Sequence, residues 1–432
     1  MPADTIFALS SGQLPAGVAV MRISGPEALT VASSMMSGLP EPRRAVLRIL
    51  AGKDGAFLDQ ALVLVFPGPN SFTGEDCVEL HLHGSRAVVA GVSAALRMHA
   101  GVRQAEPGEF SRRAFENGRL DLVEAEGLAE LISAETEMQR RLAVEQGFGG
   151  QSALYEGWAQ RLTYLRAMIE AELDFADEED VPDSLAEGLG DEIRQLHGEL
   201  MRHLQSAKAG EIIRDGYKVV IVGRPNSGKS SLINYLATRE VAIVTDIAGT
   251  TRDILQVDVD MDGYLVRIFD TAGLRETEDE VEREGVRRAR QTMQEADLIL
   301  LLEEIDSEPQ RLELPAGTDM LRIGTKADLH AASDQYDVCI STRTHDGMDR
   351  LRKLIAGKVG TVWSGSVAPG RQRQTDLLIR TSHAIENALN AGPLELRAEH
   401  LRAAAHCLGR ITGRVDVEQL LDVIFSQFCI GK

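Results

Sequence analysis

Cysteine is scarce: the chain has four in 432 residues (Cys77, Cys339, Cys407 and Cys429), and no two form a Cys-x-x-Cys pair. That spacing excludes a disulfide scaffold or a cysteine zinc site and suits a reducing cytoplasm. Long apolar runs are also missing, and the start, Met1-Pro2-Ala3-Asp4, carries no basic segment ahead of an apolar one. Neither membrane insertion nor export is therefore expected. Positive charge is in short supply, 46 Lys and Arg against 66 Asp and Glu, for a net charge of −20. A protein that grips nucleic acid with its whole surface is disfavoured, so any RNA would be held by a local basic patch or by a partner. There is no internal repeat and no low-complexity tract. The length suits two or three domains, and 44% apolar residues are enough to fill ordinary cores.

What is present starts with a phosphate-binding loop, Gly223-Arg224-Pro225-Asn226-Ser227-Gly228-Lys229-Ser230. It lies between a β-type run, Lys218 to Val222, and a helix-forming run, Ser231 to Leu236, which is the setting such a loop requires. Gly223 and Gly228 let backbone N–H groups face phosphate oxygens. Lys229 can reach the β- and γ-phosphates, and the Ser230 hydroxyl can join the shell of Mg²⁺.

The downstream elements select the nucleotide. Asp270-Thr271-Ala272-Gly273 ends a second apolar run, Leu265 to Phe269, where an Asp serves Mg²⁺ and a Gly senses the γ-phosphate. Thr245-Asp246-Ile247-Ala248-Gly249-Thr250-Thr251-Arg252-Asp253 is placed as a first switch. Thr325-Lys326-Ala327-Asp328 follows the strand-like Met320 to Ile323, and Asp328 can accept both N–H donors of a guanine edge. Ser341-Thr342-Arg343, after Val338 to Ile340, fits a last base-contacting loop. Five elements in this order point to GTP. The guanine motif ordinarily begins with Asn, and Thr325 in its place removes one expected hydrogen bond to the base.

Changes of period divide the chain. Residues 1–118 alternate short β-type runs with turns and read as an α+β domain. Residues 119–211 carry helical periodicity, broken by the acidic stretch Asp174 to Asp183, and form the first part of a helical domain. The α/β P-loop GTPase domain spans 212–366, inserted ahead of the second helical part, 367–432. The expected architecture is thus multidomain: α+β, all-α, and an inserted α/β unit.

Hydrolysis requires a water-orienting group and a neutralising charge. Leu274 stands where many GTPases have Gln, so another polar residue must act; Arg275, Glu276, Glu278, Asp279, Glu280, Glu282 and Glu284 are all placed for it. Arg252 and Arg275 are the available candidates for an arginine finger.

Over essentially its full length the chain resembles the MnmE (TrmE) family of tRNA modification GTPases. The resemblance rests on Arg22-Ile23-Ser24-Gly25, Glu79-Leu80-His81-Leu82-His83-Gly84, Arg119-Leu120-Asp121-Leu122, Asp246 to Asp253, and Phe428-Cys429-Ile430-Gly431-Lys432. It implies a cytoplasmic homodimer with folate-binding N-terminal domains, whose GTPase domains approach one another on a helical scaffold. It also implies K⁺ at Asn226, Thr245, Ile247 (through its carbonyl) and Thr250, supplying the charge of the absent finger. Mg²⁺ falls on Ser230 and Thr251. Glu282 matches the family's water-organising glutamate, acting with Lys229 and Asp270, while Ser231 completes the nucleotide set.

For a tetrahydrofolate derivative the matching positions are Arg22, Glu79, Arg119 and Lys432; a carboxylate can accept from a pterin's N–H groups, and cations can meet the glutamate tail. The resemblance further implies an FAD-containing partner, MnmG (GidA), and tRNA within the complex. The family's product carries an aminomethyl or carboxymethylaminomethyl group at C5 of the wobble uridine. Cys429 is a candidate nucleophile toward a pyrimidine ring. His81 and His83 share a strand face with Glu79, and a hydrogen-bonded face is expected there rather than a metal site. Two rival readings are a ribosome-assembly GTPase, which calls for a basic appendage, and an enzyme whose main activity is folate handling.

Overall fold

In the computed structural model the described residues are 4–174, 184–239, 256–270, 293–309, 318–362, 368–415, 421, 424–426, 428 and 431. The chain divides into two compact units, one comprising 1–129, 152–160 and 405–432, the other 130–151 and 161–404. Among the described residues no helix is long and apolar enough to cross a membrane.

The first unit is built on strands β1 (Thr5–Leu9), β2 (Ala16–Ser24), β3 (Val46–Ala51), β4 (Phe57–Phe66), β5 (Cys77–Gly84) and β6 (Val102–Gln104). They form one sheet in the order β3-β4-β5-β2-β1-β6, antiparallel except for the β1–β6 pair. Alternation along β5 sets its faces: Val78, Leu80 and Leu82 are buried, which turns Glu79, His81 and His83 to the opposite side. The buried face packs on α1 (Ala28–Ser34) and α2 (Arg86–Arg97), whose N-cap Ser85 accepts a hydrogen bond from Val88 N. Helix α3 (Glu109–Glu116) leads to α4 (Leu122–Ser133, of which 130–133 group with the second unit), and Phe115, Leu122 and Ala125 pack with Leu421, Phe425 and Phe428. This is the α+β part of the multidomain fold.

The second unit carries helices α5 (Glu137–Gly147), α6 (Gly150–Asp174, of which 152–160 group with the first unit), α7 (Ser184–Gln205) and α8 (Ala207–Asp215). These lead into β7 (Tyr217–Gly223), α9 (Lys229–Arg239), β8 (Gln256–Met261), β9 (Tyr264–Asp270), β10 (Leu298–Glu304), β11 (Asp319–Thr325), β12 (Val338–Cys339) and α10 (Met348–Gly360). Helices α11 (Gln372–Asn390) and α12 (Leu394–Thr412, of which 405–412 group with the first unit) follow. The sheet order is β12-β11-β10-β7-β9-β8, parallel except for the β8–β9 hairpin. Strand β7 is buried on both sides, as a central parallel strand must be, and so reads as a continuous apolar run. Because the five parallel strands point one way, their C-terminal ends share one edge, where an open α/β sheet binds its ligand.

Candidate functional site

That edge gathers the described residues expected to meet a nucleotide. Gly223 ends β7 opposite Leu302 of β10, and Asp270 ends β9 opposite Ile221. A Cβ at Gly223 would sit 2.4 Å from Leu302 O and 2.6 Å from Ser227 Oγ, so the first loop glycine is required by close approach. Asn226 (φ 64°) and Gly228 (φ 94°) both have left-handed backbones, which turn the loop back toward the start of α9. Lys229 is 9% exposed and donates from Nζ to the carbonyls of Gly223 (2.8 Å) and Arg224 (2.9 Å). Burial lowers its ammonium below the ordinary lysine value, and the Asp270 carboxylate opposes that shift. Ser227 is buried and its Oγ has no hydrogen-bond partner, an orphaned donor in a loop shaped for phosphate oxygens. Ser230 and Ser231 are exposed in the first turn of α9.

The residues expected to contact the base come from the end of β11 and the loop after β12. Thr325 is buried and donates from Oγ1 to Glu303 O at 3.1 Å. Lys326 has φ 62° and its Nζ lies 2.6 Å from Glu304 Oε2. Asp328 accepts from Ser341 Oγ at 2.7 Å and faces Arg343 NH1 at 3.8 Å. Ser341 Oγ in turn accepts from the N–H groups of Arg343 and Thr344. The Ser341 hydroxyl holds the Asp328 carboxyl below its ordinary range, so its acceptor oxygens stay ionised. Thr342 lies in the same turn. His345 packs its ring 4.9 Å from that of Tyr235 on α9, tying the base loop to the phosphate-loop helix.

On the first unit, the β2–β5 register sets Arg22 opposite Glu79. Arg22 donates to Glu79 Oε1 from Nε (3.1 Å) and NH2 (2.9 Å), and its guanidinium lies over the rings of Phe72 (5.0 Å) and Phe110 (5.8 Å). Two positions matched separately in the sequence thus form one pair on an aromatic platform. Arg119 is exposed, its Cγ 3.2 Å from where a Cβ on Gly74 would be, in the same β4–β5 loop that supplies Phe72. His81 Nε2 is buried, 3.5 Å from Glu79 Oε2 and without a hydrogen bond. Phe72 and His81 are the residues that sequence reasoning did not assign to this site; the Glu79-x-His81 spacing was the available signal for the second. His83 Nδ1 instead meets Asp59 Oδ1 at 2.7 Å. Thr245, Asp246, Ile247, Ala248, Gly249, Thr250, Thr251, Arg252, Thr271, Ala272, Gly273, Glu282, Cys429 and Lys432 lie outside the described residues.

Residues 5–119 match the family model described as the GTP-binding protein TrmE N-terminus, and residues 122–429 match the MnmE helical domain. The chain belongs to the MnmE (TrmE) family. Curated relatives named tRNA modification GTPase MnmE include one from Agrobacterium fabrum, 58% identical over 100% of this chain and 99% of that protein. Those of Rhizobium etli and Rhizobium meliloti are 57% and 56% identical, each over 99% of both chains. Membership of this GTPase family makes the chain a GTP hydrolase, in agreement with the sheet-edge geometry. The G domain of T. maritima FeoB is 20% identical over 34% of this chain and 98% of that one, and its TM-score of 0.24 is too low to add to the assignment.

Proposed function

We propose that the chain hydrolyses GTP to drive a tRNA modification: addition of an aminomethyl or carboxymethylaminomethyl group at C5 of the wobble uridine. The observation that carries this is the convergence of Lys229, Asp270 and Asp328 on one edge of the parallel sheet, in a chain that family models cover from residue 5 to 429. Asp328, fixed by Ser341, accepts from the guanine edge. The loop amides around Asn226 to Gly228 cradle phosphate oxygens, and Lys229 leaves the Gly223 and Arg224 carbonyls to meet the terminal phosphates. A water attacks the γ-phosphorus, the bond to the β-γ bridging oxygen breaks, and GDP and phosphate leave; Glu282 orients that water.

Ser230 and Thr251 would hold Mg²⁺, and the exposed Asn226, with Thr245, the Ile247 carbonyl and Thr250, would hold K⁺, whose charge would stand in for an arginine finger. Arg22, Glu79, Arg119 and Lys432 hold a tetrahydrofolate derivative as one-carbon donor, the Glu79 carboxylate accepting from pterin N–H groups. The protein works in the cytoplasm as a homodimer with an FAD-containing partner, and that partner holds much of the tRNA, in keeping with the net charge of −20. Steady-state GTP hydrolysis in K⁺ against Na⁺ at matched ionic strength, with Glu282→Ala alongside, tests the mechanism. The expected result is a K⁺-specific rate that Glu282→Ala abolishes; equal slow rates in both salts would overturn it.

A further inference from the structure

In the GTP reading above, Asp328 accepts from the guanine edge, and Lys326 precedes it by two residues in the same base-reading loop. Asp328 is fixed by Ser341. A lysine, with four rotatable bonds, has no such intrinsic order. Here its ammonium is tied to Glu304, Nζ to Oε2 at 2.6 Å. Glu304 is the last residue of β10 and pairs in register with Thr325, the last residue of β11, so the sheet backbone places the carboxylate. Its other oxygen, Oε1, faces His330 Nε2 at 3.5 Å, while His330 Nδ1 lies 3.0 Å from Asp306 Oδ2. The turn that returns His330 is closed by hydrogen bonds from Leu329 N and His330 N to Lys326 O. Both carboxylate oxygens of Glu304 are therefore engaged, one on Lys326 and one on a histidine that is itself held.

We propose that Glu304 is a positioning residue for nucleotide binding, holding Lys326 of the base-reading loop in place before the nucleotide arrives. Glu304 touches no substrate and acts only through Lys326. The proposal rests on the GTP reading, and the two are tested separately.

The experiment measures release of a fluorescent methylanthraniloyl-GDP, together with kcat and KM for GTP and ITP, on the full chain and on Glu304→Ala, Glu304→Gln, Lys326→Met and the Glu304→Ala/Lys326→Met double variant. A partly exposed ion pair contributes modestly, so Glu304→Ala is expected to raise the release rate and KM about threefold while kcat stays within about twofold. Lys326→Met should match it, and the double variant should be no worse than either single change. The preference for GTP over ITP should hold, because ITP lacks only the exocyclic amine that Asp328 reads. Additive losses in the double variant, a reduced GTP-over-ITP preference, or a fall in kcat at unchanged KM would each overturn the proposal. Glu304→Gln keeps a hydrogen bond to Lys326 without the charge and guards against a folding artefact in the alanine variant. Failure of the unaltered chain to bind the labelled GDP would instead sink the GTP reading itself.

Discussion

Thr325 stands where a guanine motif ordinarily has asparagine, and its geometry decides what that exchange costs. Its single hydroxyl proton is committed to Glu303 O at 3.1 Å, in a site only 4% exposed. Guanine N7 is an acceptor only, so it cannot replace that proton with one of its own. The residue therefore ties the end of β11 to β10 and offers the base no donor. Two outcomes are expected. Replacing GTP by 7-deaza-GTP should change KM by less than about twofold, because no hydrogen bond to N7 is lost. Thr325→Val should lower stability by about 1 kcal/mol, the worth of one hydrogen bond, and leave the guanine-over-adenine preference intact. A large penalty for 7-deaza-GTP would show that another donor reaches N7.

At the scale of elements, the start of α4 combines capping with titration. Asp121 Oδ1 accepts from Glu124 N at 2.8 Å while Glu124 Oε2 accepts from Asp121 N at 2.9 Å, a reciprocal capping box. Burial pushes the Asp121 carboxyl above its ordinary value, although the hydrogen bond from the Glu124 N–H opposes it. The folded state then holds this proton more tightly than the unfolded chain. The contribution to stability is full below the unfolded value of about 3.9 and is lost as pH rises through the higher folded value. Asp121→Asn keeps an N-cap acceptor without the charge. Its melting temperature relative to the unaltered chain should therefore rise between about pH 4 and neutrality; a difference that stays constant with pH would refute the assignment.

Elements also differ in how far the sequence reveals them. The phosphate loop between β7 and α9 is legible because its strand, glycines and helix lie in one stretch of chain. Strands β2, β4, β5, β9 and β11 are legible within a few residues, from alternation or β-branched runs. Strand β10 is harder: Leu298-Ile299-Leu300-Leu301-Leu302 has the composition of a buried helix, and only its place between β7 and β11 makes it a strand. The Arg22–Glu79 pair was equally hidden. Sequence resemblance marks both residues, but their contact depends on a β2–β5 register that shifts between Ala16 and Val18. The Glu304–Lys326 and Ser341–Asp328 pairs are likewise products of strand neighbourhood, which no local pattern records.

At the scale of the whole molecule, the question is how nucleotide binding at the sheet edge can be coupled to the helices of the same unit. Within the second unit, α8 leads into β7 and residues 368–370 lead out toward α11, and the two ends are fastened together. Arg214 of α8 donates from NH1 to Gly370 O, and its own carbonyl accepts from Gln139 Nε2 of α5 at 2.9 Å. A Cβ on Gly210 of α8 would fall 2.5 Å from Pro369 O, so the two segments are in contact at backbone level. The fully buried Gln374 accepts from Gly370 N (3.1 Å) and from Gln151 Nε2 (3.3 Å), joining the exit to α6 and α11. Residue 263, at the tip of the β8–β9 hairpin, accepts at its carbonyl from Met138 N of α5 (3.0 Å), so β9, which ends in Asp270, is anchored to the same helix. A buried polar cluster of this kind is costly when broken, because each unpaired group keeps its desolvation penalty. Gln374→Leu conserves approximate volume but removes the oxygen that accepts from Gly370 N and Gln151 Nε2, and should cost about 1–3 kcal/mol. The sharper expectation concerns cooperativity. Ligand binding stabilises only what unfolds together with its site. GDP should therefore raise a single melting transition of the second unit in the unaltered chain, whereas in Gln374→Leu that transition should split and GDP should shift only one part. A variant that melts earlier but still as one GDP-responsive unit would show that the GTPase fold and its helices are coupled by contacts other than this clamp.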